Sequence, residues 1–427
     1  MVIAYLISII ALVHNMFNLI PGNTRAGGTR TLDAGLVIIL LGLVYYALKL
    51  RRSTAQPLAN FFSWYVFFYL LLVVVQVAVA SLNYSQSILD GFIAARHQLY
   101  YLSFPVFLLG LNDLQKVETF MKAFTGLAIV LIVISLVNYS GFTMFYHQRA
   151  EGHGVRSGIV RAFIPAMSIM VMAALWEFWA YLRDNRRFSI HLASFMIVYG
   201  AIIFRQTRGR IIAVTLTLVL MLIAKRRFKL LAGGAVLLVL GLGIQMLVGS
   251  ESILLNTFES AYSDVAQGEG TWSTRMKQIQ SSWNVFMDNF MTGSGGLVIR
   301  QQEGGWAGWG DLLTVAFNAD LGYWTWLKFF GYPGIVFLLA LVLVFYRYAL
   351  LCGSHGERAY IGQFAAYHFT CILISMVTIN YLTHPAGIVL LCLTMAIVVR
   401  AAKAEETSLA EPEAEIPAER KISPWNP

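Results

Sequence analysis

The sequence predicts an all-α, polytopic membrane protein: about twelve transmembrane helices and one large outer loop that carries an amphipathic helix. Three observations predict it. Hydrophobic residues make up 58% of the 427 and charged residues 12%, against about 25% charged in an ordinary soluble chain. The mean hydropathy is +0.66. The apolar residues fall in long runs, most of them near the ~20 residues needed to cross a bilayer. A single soluble core does not absorb that much apolar surface, so a soluble enzyme, a disulfide scaffold and a disordered chain are excluded.

The runs lie at about 1–20, 34–50, 60–81, 98–111, 120–138, 159–182, 189–204, 211–224, 230–248, 326–348, 361–379 and 385–399. The first has no basic residue before it and no A-x-A site after it, so it reads as a span and not a cleavable signal. The run at 98–111 is the shortest. The stretch 189–224 is broken only by Arg205-Gln206-Thr207-Arg208-Gly209-Arg210. As one helix it would be too long to span once, so it reads as two spans joined by a tight polar turn. The chain divides into spans one to nine (1–248), an outer loop (249–325), spans ten to twelve (326–400) and a Glu-, Ala- and Pro-rich tail (401–427) that reads as disordered.

Lysine and arginine set the orientation. With the N-terminus in the cytoplasm, 18 of the 31 fall on inner segments, and the bias is clearest in short linkers such as Lys225-Arg226-Arg227, where the positive-inside rule is strongest. Both termini then face the cytoplasm. The formal charge of +9 is therefore a topology signal and not a nucleic-acid footprint. Within the long loop, Met276, Ile279, Trp283, Phe286 and Phe290 recur at helical spacing, which predicts an amphipathic helix over Thr271–Phe290. Cys352, Cys371 and Cys392 contain no CxxC and offer neither a disulfide framework nor a zinc site.

The unusual residues gather on the outer side. Arg205, Arg208 and Arg210 crowd one turn; Arg96 precedes the fourth span, Arg156 and Arg161 the sixth, and Arg275 opens the amphipathic helix. Arginine at membrane depth is costly and faces a polar cavity or a partner. Several guanidinium forks on one face suit a pyrophosphate, whose oxygens they bind in pairs; the plainer reading is snorkelling to headgroups or pairing with acids. Asp320, just before the tenth span, fits a half-buried general base and equally a helix N-cap. Asp311 and Glu303 are weaker versions of the same idea. His384, in the last outer turn, lines a cavity or caps a helix. His147, Glu151 and His153 share a loop and lack a third fixed metal ligand. No G-x-S-x-G, H-E-x-x-H or P-loop occurs.

Three segments together resemble the superfamily of O-antigen ligases and O-antigen or exopolysaccharide polymerases of bacterial inner membranes. Phe204-Arg205-Gln206-Thr207-Arg208-Gly209-Arg210 is similar to its Ser/Thr-Arg-Gly element. Arg275 through Trp283 to Gly293-Ser294-Gly295 is similar to its Arg-led amphipathic helix ending in Gly-x-Gly. Asp320 through Tyr323 to Gly331-Tyr332-Pro333-Gly334 has the spacing of its His-Asn-x-Tyr-Leu followed by Gly-x-x-Gly, with Asp320 where the family has histidine and Leu321 where it has asparagine. That departure points toward polymerases and away from ligases.

The resemblance implies a GT-C-like membrane glycosyltransferase that works without a metal or other cofactor and faces the periplasm. Its donor would be a glycan on undecaprenyl pyrophosphate. The acceptor would be a second lipid-linked repeat unit or, in a ligase, lipid A-core. A flippase and a chain-length regulator would be its pathway partners. Arg208 and Arg275 would neutralise the leaving pyrophosphate, with Arg205, Arg210, Arg96, Arg156, Arg161, Tyr323 and His384 around the substrate. Asp320 would take or orient the acceptor proton. The rival class is a polysaccharide or lipid transporter. Transporters commonly show two related halves with broken helices at matching positions, and no such repeat is visible.

Overall fold

In the computed structural model the described residues are 1–14, 16, 29–50, 60–84, 87–140, 155–156, 159–160, 166–184, 189–205, 207–234, 270–295, 321–354 and 356–409. Their helices are α1 (Val2–Val13), α2 (Thr29–Leu50), α3 (Phe61–Tyr84), α4 (Ile88–Ala95), α5 (Ser103–Gly110), α6 (Leu114–Tyr139), α7 (Met167–Asp184), α8 (Ile190–Phe204), α9 (Arg208–Ala224), α10 (Gly270–Asp288), α11 (Gly322–Leu351), α12 (Gly356–Ser375) and α13 (Pro385–Leu409). A 3-10 helix, Arg96–Leu102, leads into α5. The exception to an all-α fold is a two-stranded antiparallel pair, β1 (Val155–Arg156) and β2 (Ile159–Val160).

The middle of the bundle is α13, which packs against α12, α5, the 3-10 helix, α11, α1, α6 and α7. It is apolar all round: Ile388 to Leu393 and Met395 to Val399 are fully buried, as a helix must be when it is enclosed on every side. The outer helices are the reverse. Val37, Leu41, Val44 and Leu48 on α2 are exposed at helical spacing, as are Ile212, Leu216, Leu220 and Ile223 on α9. Exposed apolar stripes of that length are the surface of a membrane protein and not of a soluble one.

Four described helices are long and apolar enough to cross a bilayer: Phe61–Asn83, Leu114–Asn138, Gly322–Leu351 and Pro385–Lys403; Val2–Val13, Ile190–Phe204 and Gly209–Ala224 are apolar but shorter. The polar stretch 205–210 separates α8 from the apolar part of α9, and its second half, Arg208-Gly209-Arg210, forms the first turn of α9. Ser189 caps α8 by accepting from Leu192 N at 3.3 Å. Several expected runs differ from the helices: 1–20 is helical over Val2–Val13 and 361–379 only as far as Ser375, and two others are broken or delayed. The run 98–111 is divided into the 3-10 helix and α5. Pro105 stands in the first turn of α5, where its missing N–H is tolerated, whereas one continuous α-helix would bring its ring against the carbonyl of Tyr101. The run 159–182 becomes helical only at Met167, past Pro165, with Ala166 at φ 56°. Part of the run 230–248 and most of the tail lie outside the described residues.

The amphipathic helix over Thr271–Phe290 is realised as α10, lying on α11. Phe286 is buried, Trp283 meets the Trp324 ring edge-on at 5.8 Å, and Phe290 meets Tyr332 at 6.0 Å. After α10 a three-residue strap, Gly293-Ser294-Gly295, docks into a break in α11. Gly331 there has φ 58° and ψ −145°, and Pro333 follows. The break frees carbonyls that would otherwise be orphaned at membrane depth. The strap answers them: Ser294 N donates to Lys328 O at 2.8 Å, Ser294 Oγ to the same oxygen at 3.0 Å, and Gly295 N to Phe329 O at 3.2 Å. A Cβ on Gly293 would lie 2.2 Å from Phe329 O, and one on Gly331 2.4 Å from Gly293 N. The two glycine motifs are thus two halves of one joint.

Candidate functional site

One end of the bundle collects polar side chains from elements far apart in sequence. It is built around the α12–α13 turn, residues 376–384. Asn380 Oδ1 accepts from Thr383 N at 3.0 Å, and the Asn380 amide donates to the Thr383 hydroxyl. Tyr101 donates its hydroxyl to Leu382 O at 3.1 Å. Gln98 donates to Thr383 O at 3.3 Å while accepting from the Tyr69 hydroxyl at 2.6 Å. The start of α9 closes on this turn because residue 209 is glycine. A Cβ there would lie 2.2 Å from Thr378 Oγ1, so a side chain would have to displace that hydroxyl.

This docking brings Arg210 beside His384, whose pKa is lowered by burial first and by the Arg210 charge second. His384 keeps part of its surface in solvent, so it stands at the mouth of the cluster. His14, at the C-terminus of α1, lies within electrostatic reach of both Arg210 and His384. His97, in the 3-10 helix, has its pKa brought down to about 4, by burial first, then by Arg96 and His384, against the opposing pull of Asp33. Arg96 Nε is 3.2 Å from Asp33 Oδ1, and its NH1 donates to Ile93 O at 2.5 Å. Three buried nitrogens of this cluster, Arg210 Nε, His14 Nε2 and His97 Nε2, have no hydrogen-bond partner among the described residues. Unsatisfied buried polar atoms are rare in folded proteins, and each calls for an explanation.

Of the residues singled out in the sequence, Arg210 and His384 lie within electrostatic reach of each other here, and Arg96, itself paired with Asp33, reaches the cluster through His97. Arg205 ends α8, its N–H donating to Ala201 O at 3.2 Å. Arg208 opens α9 two residues before Arg210, its side chain outside the described residues. Arg275 is half-buried on α10. Tyr323 is engaged by the scaffold: its hydroxyl donates to Leu373 O at 2.7 Å and its N–H to Met376 O at 3.0 Å. Asp320 and Arg161 lie outside the described residues, as do Glu303, Asp311, His147, Glu151 and His153; Arg156 is described only as backbone, in β1.

Sequence reasoning missed His14 and His97. The topology signal could have found them, because alternating spans put residues 14, 97, 210 and 384 at the same ends. It also missed Lys328, hidden in the apolar run of α11. Lys328 is fully buried, its Nζ 5.1 Å from the Phe329 ring centre and without a hydrogen-bond partner among the described residues.

A helical bundle with long exposed apolar stripes and a cationic, histidine-rich cluster at one end has the character of an integral membrane protein. The model of the family described as O-antigen ligase matches residues 192–339, about a third of the chain, from α8 through the break in α11. That match supports the O-antigen ligase and polymerase superfamily, a class of glycosyltransferase-like membrane enzymes. No curated protein matches this chain.

Proposed function

We propose that the protein polymerises oligosaccharide repeat units carried on undecaprenyl pyrophosphate, at the periplasmic face of a bacterial inner membrane, without a metal. The observation that carries this reading is that a helix of the matched domain brings Arg210 within electrostatic reach of His384, in a cluster that Arg96 reaches through His97. Twelve spans with both ends cytoplasmic and residues 249–325 periplasmic belong to the same proposal, on the lysine and arginine tally. In the reaction an acceptor hydroxyl oxygen attacks the anomeric carbon of the donor. The bond from that carbon to the pyrophosphate oxygen breaks, and the pyrophosphate leaves with the electron pair. Arg210, with Arg208 and Arg275, stabilises the charge that develops on it. Asp320 takes the hydroxyl proton. Asp320 in the family's histidine position favours polymerase over ligase.

Reconstitution tests this. The full chain in liposomes, given lipid-linked repeat units and no gradient, is expected to lengthen them; a transporter would leave their length unchanged. Asp320→Asn, at normal protein level, is expected to lose most of the lengthening. Wild-type chain lengths in that variant would remove Asp320 from the chemistry, and the N-cap of α11 is Leu321, with no side-chain cap bond.

A further inference from the structure

Of the three unpartnered nitrogens, His14 Nε2 is the one whose chemistry the geometry fixes. His14 follows the last residue of α1, and its Nδ1 lies 2.9 Å from Ile10 O, one turn back. A carbonyl oxygen only accepts, so Nδ1 carries the hydrogen. The backbone N–H of His14 donates to the same oxygen at 3.0 Å, so the ring is held against the helix end. In the neutral ring with hydrogen on Nδ1, Nε2 bears a lone pair. That lone pair is buried and unused, and Arg210 Nε is an unused buried donor in the same cluster.

An unused acceptor and an unused donor together match a group that is both, and an alcohol is such a group. We propose that His14 Nε2 accepts a hydrogen bond from a sugar hydroxyl of the acceptor glycan, and that Arg210 Nε donates to the acceptor or to the departing pyrophosphate. This rests on the reading of the protein as a glycosyltransferase. It adds a substrate-contacting residue on the first helix, far from the matched domain in sequence. His384 marks the way in, since it is exposed while His14, His97, Arg96 and Arg210 are half-buried.

Two isosteres separate substrate contact from helix capping. The amide nitrogen of asparagine sits where Nδ1 is, so His14→Asn keeps the bond to Ile10 and loses the acceptor. The carboxamide oxygen of glutamine reaches the place of Nε2, so His14→Gln keeps the acceptor. The full chain in liposomes with lipid-linked repeat units is the assay. His14→Asn is expected to lose about 10- to 100-fold in rate at limiting acceptor, the loss that follows when one hydrogen bond is removed from a buried polar site. Its thermal midpoint and its binding of undecaprenyl pyrophosphate should be unchanged, and His14→Gln should work at least several-fold faster than His14→Asn. The opposite order, or full activity in His14→Asn, would make His14 a cap only. Should neither variant accumulate, carbethoxylation of the wild type by diethyl pyrocarbonate decides: acceptor glycan should protect His14, and an unmodified or unprotected His14 overturns the inference. Inactive wild-type protein would instead count against the glycosyltransferase reading itself.

Discussion

The two ends of the bundle use the same residue types in opposite ways. At the end away from His384, Lys116, Arg183, Lys225 and Arg400 each have something to hold. Lys116 Nζ is 2.9 Å from Asp113 Oδ2, and Arg183 NH1 is 3.0 Å from Glu118 Oε1 with its guanidinium over the Tyr360 ring at 4.2 Å. Lys225 Nζ lies 4.4 Å from the centre of the Trp179 ring. Arg400 donates to Leu111 O at 2.9 Å and Leu108 O at 2.7 Å, closing the C-terminal end of α5. Even the buried carboxylate of Glu177 is shared, accepting from Thr125 at 2.9 Å and bonding His191 Nδ1 at 2.8 Å. At the His384 end, Arg210 Nε, His14 Nε2 and His97 Nε2 are buried and unanswered among the described residues. The contrast is one of cations and histidines and not of every polar group: the Tyr360 hydroxyl is also unmet at the first end and Arg96 holds Asp33 at the second, but an unmet buried nitrogen costs roughly 1–3 kcal/mol and three of them gather at the His384 end.

Substitutions can break that contrast. The largest effect is expected at Arg210. Arg210→Ala should cut glycan transfer by about 100-fold or more, the scale for removing one preorganised charge donor, with membrane protein level unchanged. Arg210→Lys should rescue poorly because it lacks the planar fork. Wild-type transfer by Arg210→Ala would empty the cluster of its proposed role.

A smaller effect is expected from pH. His97 has its pKa near 4 in the fold against 6.5 unfolded, so between those values the unfolded chain takes up a proton that the folded chain refuses. Stability is therefore full above about pH 6.5 and falls as pH drops toward 4. Thermal midpoints in lipid nanodiscs across that window should show the slope, and His97→Gln should flatten it. An identical slope in the variant would show that the ring is not held neutral.

The smallest effect is expected at the satisfied end. Arg183 is half-exposed, so Arg183→Ala should shift stability by less than about 1 kcal/mol and leave glycan transfer at the wild-type rate. A large loss of transfer there would mean that the two ends do not divide the labour.

Much of the scaffold was legible because its signals are local. The polar stretch between α8 and the apolar part of α9 is three arginines and a glycine in six residues, and the apolar stripe of α10 repeats at helical spacing. The 3-10 helix was not legible as such, because hydropathy does not register how Pro105 disrupts a helix upstream of itself. Arg96, Arg210 and His384 were legible as cations and a histidine on the costly side of the membrane. His14 and His97 were not, since a single histidine at the end of an apolar run carries no signal until another element is folded against it. The glycines lie between these cases. Their spacing was visible, but the reason for it, that Gly293 and Gly331 touch and that Gly209 touches Thr378, exists only in three dimensions.

The joint between the strap and α11 also bears on how this protein can vary. Gly295 is fastened to Phe329, and Leu321 begins the same helix about 12 Å away, at 1.5 Å of rise per residue. The chain between them therefore leaves and rejoins a single rod whose length it does not set. The mooring of α10 depends on the strap, and the two glycines that let it seat, Gly293 and Gly331, are positions where the chain has little room to change.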